Sequence, residues 1–342
     1  MTSLFKSLFI LFFLAGSFFA LPSQGSGEEG DPFAPHIERF RNGTIDWKAG
    51  IIYGTGKGYP DMNGGSKAAA ASVARATAMN AIVKIASGLN LDDQTVLNKL
   101  GNGRGIIHIH TLIHPEHHES RWTTDGERPC IEVTLKTPVS GVEGITTRLL
   151  GLLKEHPDLW KDLPEKPLAS AIENEGAPWL VIDARGAARN GGGVRPALFP
   201  KIKSASGEVL YELKRVDERA VQTRGLASYV ITSEPKERLA GKRGLSQNLL
   251  DSIGNLIKVQ EAFAGEPRKK RKRFIVTDAT AMEGVASVNL LVSHEEASRL
   301  KKEDQASMIL KKCRVIVIVN SPIGGVKGSI DPLRIFSWVD TP

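Results

Sequence analysis

Cysteine is almost missing from this chain: Cys130 and Cys313 are its only two in 342 residues. So few exclude a disulfide framework, and an apolar core must hold the fold. One Cys130–Cys313 bond is compatible with an oxidising compartment, but it would have to join two separate modules. After the first twenty or so residues no apolar run is long enough to span a bilayer, so the remainder reads as soluble. No Ser/His/Asp or Cys/His spacing identifies a nucleophile, and no paired-carboxylate motif stands out.

The N-terminus has what the rest lacks. Lys6 is the only charge before Glu28, and Leu8 to Leu14 is unbroken apolar sequence, extended by Phe18, Phe19 and Ala20. A short positive region before a short apolar core is the pattern of a secretory signal peptide. Cleavage is expected after Ala20 or within Ser23-Gln24-Gly25-Ser26, with an uncleaved anchor as the alternative. No Cys lies at that junction, so no lipid-modified N-terminus is expected. The expected location is therefore the periplasm or envelope. The net charge of +7 then points to anionic lipid, cell-wall polymer or an acidic partner, and not to nucleic acid.

The chain divides into a signal peptide at 1–25, a flexible Gly/Pro/Glu-rich leader at 26–44, a first domain at 45–156, a Pro-rich linker at 157–175 and a second domain at 176–342. The fold class expected is α+β, built as two small modules. In the first, a β-α-β-β module, a strand at Trp47–Tyr53 runs into the turn Gly54-x-Gly56-x-Gly58. An Ala-rich helix follows from Lys67 to Ser87, with Val73, Ala76, Asn80, Val83 and Ala86 on one face. A strand at Gly105–His114, a polar loop at Pro115–Arg128 and a strand at Cys130–Thr137 make a hairpin against that helix. A closing helix spans Gly141–Glu155. The glycine triplet lacks the spacing of a dinucleotide or P-loop fingerprint and reads as a tight turn.

The second module is mixed α/β. It has a buried strand at Trp179–Asp183, a turn at Ser206-Gly207-Glu208 into Val209–Glu212, and an amphipathic helix at Ser246–Ala264. That helix buries Leu249, Leu250, Ile253, Leu256, Ile257 and Phe263. Strands follow at Phe274–Ala279 and Ser287–Val292. A capping box at Ser293 and Glu296 opens a helix running to about Lys312. Arg314–Val319, rich in β-branched residues, suits the interior of a sheet.

The segments Leu180-Val181-Ile182-Asp183-Ala184-Arg185-Gly186, Arg195-Pro196-Ala197-Leu198-Phe199-Pro200-Lys201-Ile202 and Gly207-Glu208-Val209-Leu210-Tyr211 resemble a signature of exported bacterial proteins. Leu291-Val292-Ser293-x-Glu295-x-Ala297 and Lys312-Cys313-Arg314-Val315-Ile316-Val317 fit the same pattern. It is similar to that of LPP-type outer-membrane lipoproteins and of flagellar assembly protein T. The glycine turn, Ala-rich helix and hairpin of the first module extend the resemblance over most of the chain. The resemblance implies no catalytic residues. It implies a structural role, as in a periplasmic ring around the flagellar motor. The lipoprotein cysteine is missing here, a departure that bears on anchoring.

Three constellations carry chemistry. His108, His110 and His114, on one face of the expected strand, form a candidate zinc, copper or nickel site, with His117 and His118 in the loop and Cys130 and Glu132 facing them. The plainer reading is a solvated, His-rich face. Arg268, Lys269, Lys270, Arg271, Lys272 and Arg273 form a basic run; behind a signal peptide it suits an anionic envelope surface, or simply a solvated loop. Asp183 and Arg185, with Gly186, Pro196 and Pro200 as motif residues of unknown role, end an apolar strand where α/β sheets place ligands. There Asp183 is a candidate acid or base and Arg185 and Lys201 anion contacts, against the plainer reading of a structural salt bridge. The leading expectation is a non-enzymatic assembly component that binds other envelope proteins, outer-membrane or motor parts among them. It requires no cofactor. The alternatives are a periplasmic metal-binding module and, behind it, an enzyme centred on Asp183 and Arg185.

Overall fold

The computed structural model describes residues 36–100, 105–160, 177–187, 193–236, 244–263 and 273–320, the side chains of 63, 105–108 and 263 apart. The expected signal peptide lies outside them. Two sheets and the helices that cover them make an α+β fold.

The first sheet is antiparallel. Its strands are β1 (Ile37–Phe40), β2 (Gly43–Asp46), β3 (Ile51–Gly58), β4 (Glu116–Asp125) and β5 (Arg128–Pro138), in the order β1-β2-β3-β5-β4. The β1–β2 hairpin occupies sequence expected to be flexible leader. Ile45 points into the core, and Trp47 anchors the exit from β2 through Nε1, which donates to Glu38 Oε2 at 2.9 Å. The glycine triplet is likewise no turn: it is strand, paired with β5 from Gly54↔Leu135 to Gly58↔Ile131.

The reason lies in helix α1 (Lys67–Ser87), whose bounds are those expected from sequence. Ser66 caps it, its side chain accepting from Ala69 N at 3.2 Å, and Gly88 ends it. Two strand residues advance about 6.8 Å and four helical residues about 6.0 Å, so alternate residues of one can meet every fourth of the other. Gly58, Gly56 and Gly54 lie against Ala70, Ala74 and Ala78 in this manner. A Cβ built on each glycine would fall 1.9, 2.1 and 2.4 Å from the carbonyl oxygen of its alanine. This docking selects the helix face. Ala70, Ala74, Ala78 and Ile82 are fully buried, whereas Val73 is 44% exposed and Ala76 and Asn80 lie on the solvent side. Of the face expected from sequence only Val83 and Ala86 are inside, because a strand without side chains accepts the smallest ridge of the helix in place of the most apolar one.

Residues expected as the strand 105–114 form helix α2 (Gly105–Leu112) instead. The place beside β5 is taken by β4, from sequence expected to be a polar loop. Asp125 pairs with Arg128 across Gly126, whose φ of +63° suits glycine in a hairpin turn. Short apolar runs such as Ile106–Ile113 do not separate helix from strand. Here Ile109, Leu112 and Ile113 are buried in the main hydrophobic cluster. In β5 Ile131, Val133 and Leu135 are buried and Glu132, Thr134 and Lys136 half-buried, as an alternating strand requires, but Cys130, expected on the second face, is fully buried. Helix α3 (Ile145–Glu155) follows. The start of the expected linker is packed: Trp160 stacks on Phe199 with centroids 5.2 Å apart and donates from Nε1 to Asp92 Oδ2 at 3.0 Å.

The second sheet comprises β6 (Trp179–Asp183), β7 (Ile202–Ser204), β8 (Val209–Tyr211), β9 (Ser228–Thr232), β10 (Phe274–Glu283), β11 (Asn289–Val292) and β12 (Val315–Asn320), in the order β8-β7-β11-β10-β6-β12-β9. The pairs of β6 with β10 and β12, of β12 with β9 and of β11 with β7 are parallel; β7–β8 and β10–β11 are antiparallel. A parallel sheet covered on both faces needs continuously apolar strands, and β6 and β12 have them. Helix α5 (Gln247–Phe263) buries Leu249, Ile253, Leu256 and Ile257 against Trp179, Val181, Ile316 and Ile318. Leu180, Ile182, Val317 and Val319 face the other way, into one hydrophobic cluster that also holds Ile52, Ala74 and Leu135 of the first module. Helix α4 (Glu218–Arg224) and β9 were not legible in the sequence. Helix α6 (His294–Ser307) begins at the expected cap, Ser293 Oγ accepting from Glu296 N at 3.2 Å. It stops short of Lys312 because Met308 takes a left-handed conformation.

Candidate functional site

In open parallel sheets, ligands meet the carboxyl ends of the strands. Here the registers Asp183↔Asp278, Asp183↔Ile318 and Asn320↔Thr232 bring the ends of β6, β12 and β9 together, beside β10. Asp183 sits there, two residues before Arg185 in the turn that follows β6. Arg185 donates from Nε to Asp183 Oδ1 at 3.0 Å and from a terminal nitrogen to Oδ2 at 2.9 Å, and its backbone N reaches Oδ1 at 3.1 Å. The two side chains are only 5% and 2% exposed. Arg185 also donates to the carbonyls of Glu234 and Pro235, at 3.4 and 3.3 Å, and its own carbonyl accepts from Asn320 Nδ2 at 2.9 Å. The guanidinium therefore ties the strand ends together. A bidentate pair of this kind satisfies the carboxylate oxygens internally.

A second ion pair lies alongside, Lys236 Nζ to Asp278 Oδ1 at 2.8 Å. Gly186 fits beneath Lys236, since a Cβ there would come 3.3 Å from the lysine side chain. Lys236, Asp278 and Asn320 were missed from sequence because each belongs to a different, distant segment. Pro196 and Pro200 flank a different junction. Asn90 Nδ2 donates to the Pro196 carbonyl at 3.1 Å, and Leu198 N and Phe199 N donate to the carbonyls of Asn90 and Leu91, at 2.9 and 2.8 Å. These residues join the second module to the first. Lys201 N donates to Asn289 Oδ1 at 3.1 Å, which fixes β7 beside β11.

The geometry behind the expected metal site is corrected. Residues 105–112 are helix, so the alternation that would set the histidines on one strand face does not apply there. The His108 side chain lies outside the described residues, and His110 and His114 are exposed. His117 shares a 2.7 Å hydrogen bond with Ser120, and His118 packs edge-on against Tyr53. Among the described residues no group of three His, Cys, Asp or Glu side chains is placed to hold a metal ion. Of the basic run, only Arg273 is described, exposed, with its carbonyl accepting from Trp179 N at 2.9 Å.

Both cysteines are free and buried. Burial pushes the Cys313 thiol up to about 12, which leaves it protonated and unreactive at neutral pH. Iodoacetamide should therefore modify neither thiol in the native protein and both after denaturation, as read by intact mass; modification of the native chain would contradict the packing. A cleft at the junction of the modules is lined by Trp47, Ser140, Leu226, Tyr229 and Gln260. Gln260 Oε1 is buried there with no hydrogen-bond partner among the described residues and suits a small donor such as water.

No curated protein matches the chain. A family profile matches residues 179–255, from β6 into α5 and through the Asp183–Arg185 pair; over that stretch the chain is similar to the second domain of Tp0624 of Treponema pallidum.

Proposed function

We propose that this chain is an exported, non-enzymatic envelope component that works by protein–protein contact, in the manner of the LPP-type and flagellar assembly protein T-like proteins it resembles. The observation that carries the reading is the closed Asp183–Arg185 pair: the acid placed where an α/β sheet would present a catalytic group is consumed in holding strand ends. The N-terminal pattern of Lys6 followed by Leu8–Leu14 supports export. Among the described residues no helix is long and apolar enough to cross a membrane. The run Arg268–Arg273 is proposed to contact anionic lipid or cell-wall polymer.

The test is recovery of the full chain from its native envelope after mild cross-linking, with mass spectrometry of what remains attached. Reproducible capture of outer-membrane or motor components is the expected result. A chain that fractionates with the cytoplasm, or comes away alone from the envelope, overturns the reading.

A further inference from the structure

Strand β4 is the outermost strand of the first sheet, and among the described residues nothing pairs with its free edge. Nine of its ten residues are exposed, Thr123 being the half-buried one. Unpaired N–H and C=O groups along such an edge are a template for another strand. What discriminates between partners is the side-chain pattern: Glu119 and Arg121 stand on either side of Ser120, on the face that carries Glu132. Arg121 is already oriented there by Glu132 Oε1, which accepts from it at 3.0 and 2.7 Å.

We propose that two copies of this chain pair through β4, antiparallel, about a two-fold axis at Ser120. This names the partner for one contact of the assembly reading above and rests on it. With the axis at Ser120, Glu119 of each copy lies opposite Arg121 of the other, and no like charges oppose one another along the strand. The registers centred on Glu119, Arg121 and Trp122 are worse for physical reasons. An axis at Glu119 sets two carboxylates face to face, and one at Arg121 sets two guanidiniums face to face. An axis at Trp122 sets Glu119 against Asp125. Directly opposed like charges destabilise a strand pair. An axis lying between residues would put the side chains of one copy on the wrong face of the sheet. The irregularity between His117 and Glu119 bends the strand, and a two-fold contact closes on itself, so the edge makes a dimer and does not grow further.

Ser120→Cys in the full chain tests the axis. It gives up only the exposed hydrogen bond to His117. Opposed Cα atoms in an antiparallel pair lie about 4.5–5.5 Å apart, within disulfide reach. The native cysteines are buried and do not compete. With diamide as oxidant, Ser120→Cys should run as a covalent dimer without reductant, while Thr124→Cys, which would face Glu116, should stay monomeric. By light scattering, Glu119→Lys should weaken dimerisation about tenfold, and Glu119→Lys with Arg121→Glu should restore it. A chain that remains monomeric across a concentration series, or equal cross-linking of both cysteine variants, would overturn the pairing. A monomer that still captures envelope proteins sinks the self-pairing and leaves the assembly reading standing. A Ser120-linked dimer that captures none does the opposite.

Discussion

Replacing Gly56 with alanine should destabilise the protein by about 3 kcal/mol, at the upper end of ordinary overpacking costs. The added methyl group would sit 2.1 Å from the Ala74 carbonyl oxygen and 2.5 Å from the Ala78 nitrogen. Both atoms are backbone of a capped helix, so neither can swing aside as a side-chain tip would. Relief requires α1 to lift off β3, which also opens the contacts of Ala70, Ala78 and Ile82. The measurement is the urea midpoint by circular dichroism. Gly151→Ala is the control: a Cβ there meets nothing within 4 Å. Loss of helix-interior glycine should raise stability by about 0.5–1 kcal/mol. If both variants unfold like the parent, the close approach of helix and strand is not what holds this module.

Arg185→Met should cost about 3–5 kcal/mol, because it strands the Asp183 carboxylate in a buried site and leaves the Glu234 and Pro235 carbonyls without their donor. Removing both charges together, as Asp183→Leu with Arg185→Met, should recover most of that loss. Buried ion pairs contribute little net stability over well-packed apolar residues, and the large penalty belongs to the half-broken pair. Equilibrium denaturation of the single and double variants gives the coupling directly. An additive result would mean that Asp183 is solvated by another route, and would reopen it as a chemical group. A double variant that folds like the parent would place the pair in the scaffold.

How much of this was legible differs by element. The bounds of helix α1 were legible because their signals are local: Ser66 before it, an Ala-rich run without Gly or Pro, and Gly88 after it. The same holds for β6, for the hairpin turned at Gly207 and for the capped start of α6. The Asp183–Arg185 pair was also readable, since two residues in one tight turn reach each other without help. The run Ile106–Ile113 was misread for lack of such signals. The strand at 116–125 was missed although Asp125-Gly126 is a recognised hairpin dipeptide, because its side chains are polar on both faces.

The sequence by itself determined the bounds of α1, the place of the apolar strands β6 and β12 and the capped start of α6, because each is written within a few neighbouring residues. Only the tertiary structure decided which ridge of α1 faces inward, that Gly54, Gly56 and Gly58 are strand and not turn, and that Lys236, Asp278 and Asn320 gather beside Asp183. The physical reason is the same in each case. These outcomes depend on close approach between segments distant in sequence, and steric fit and charge pairing across that gap leave no periodic trace in either segment alone.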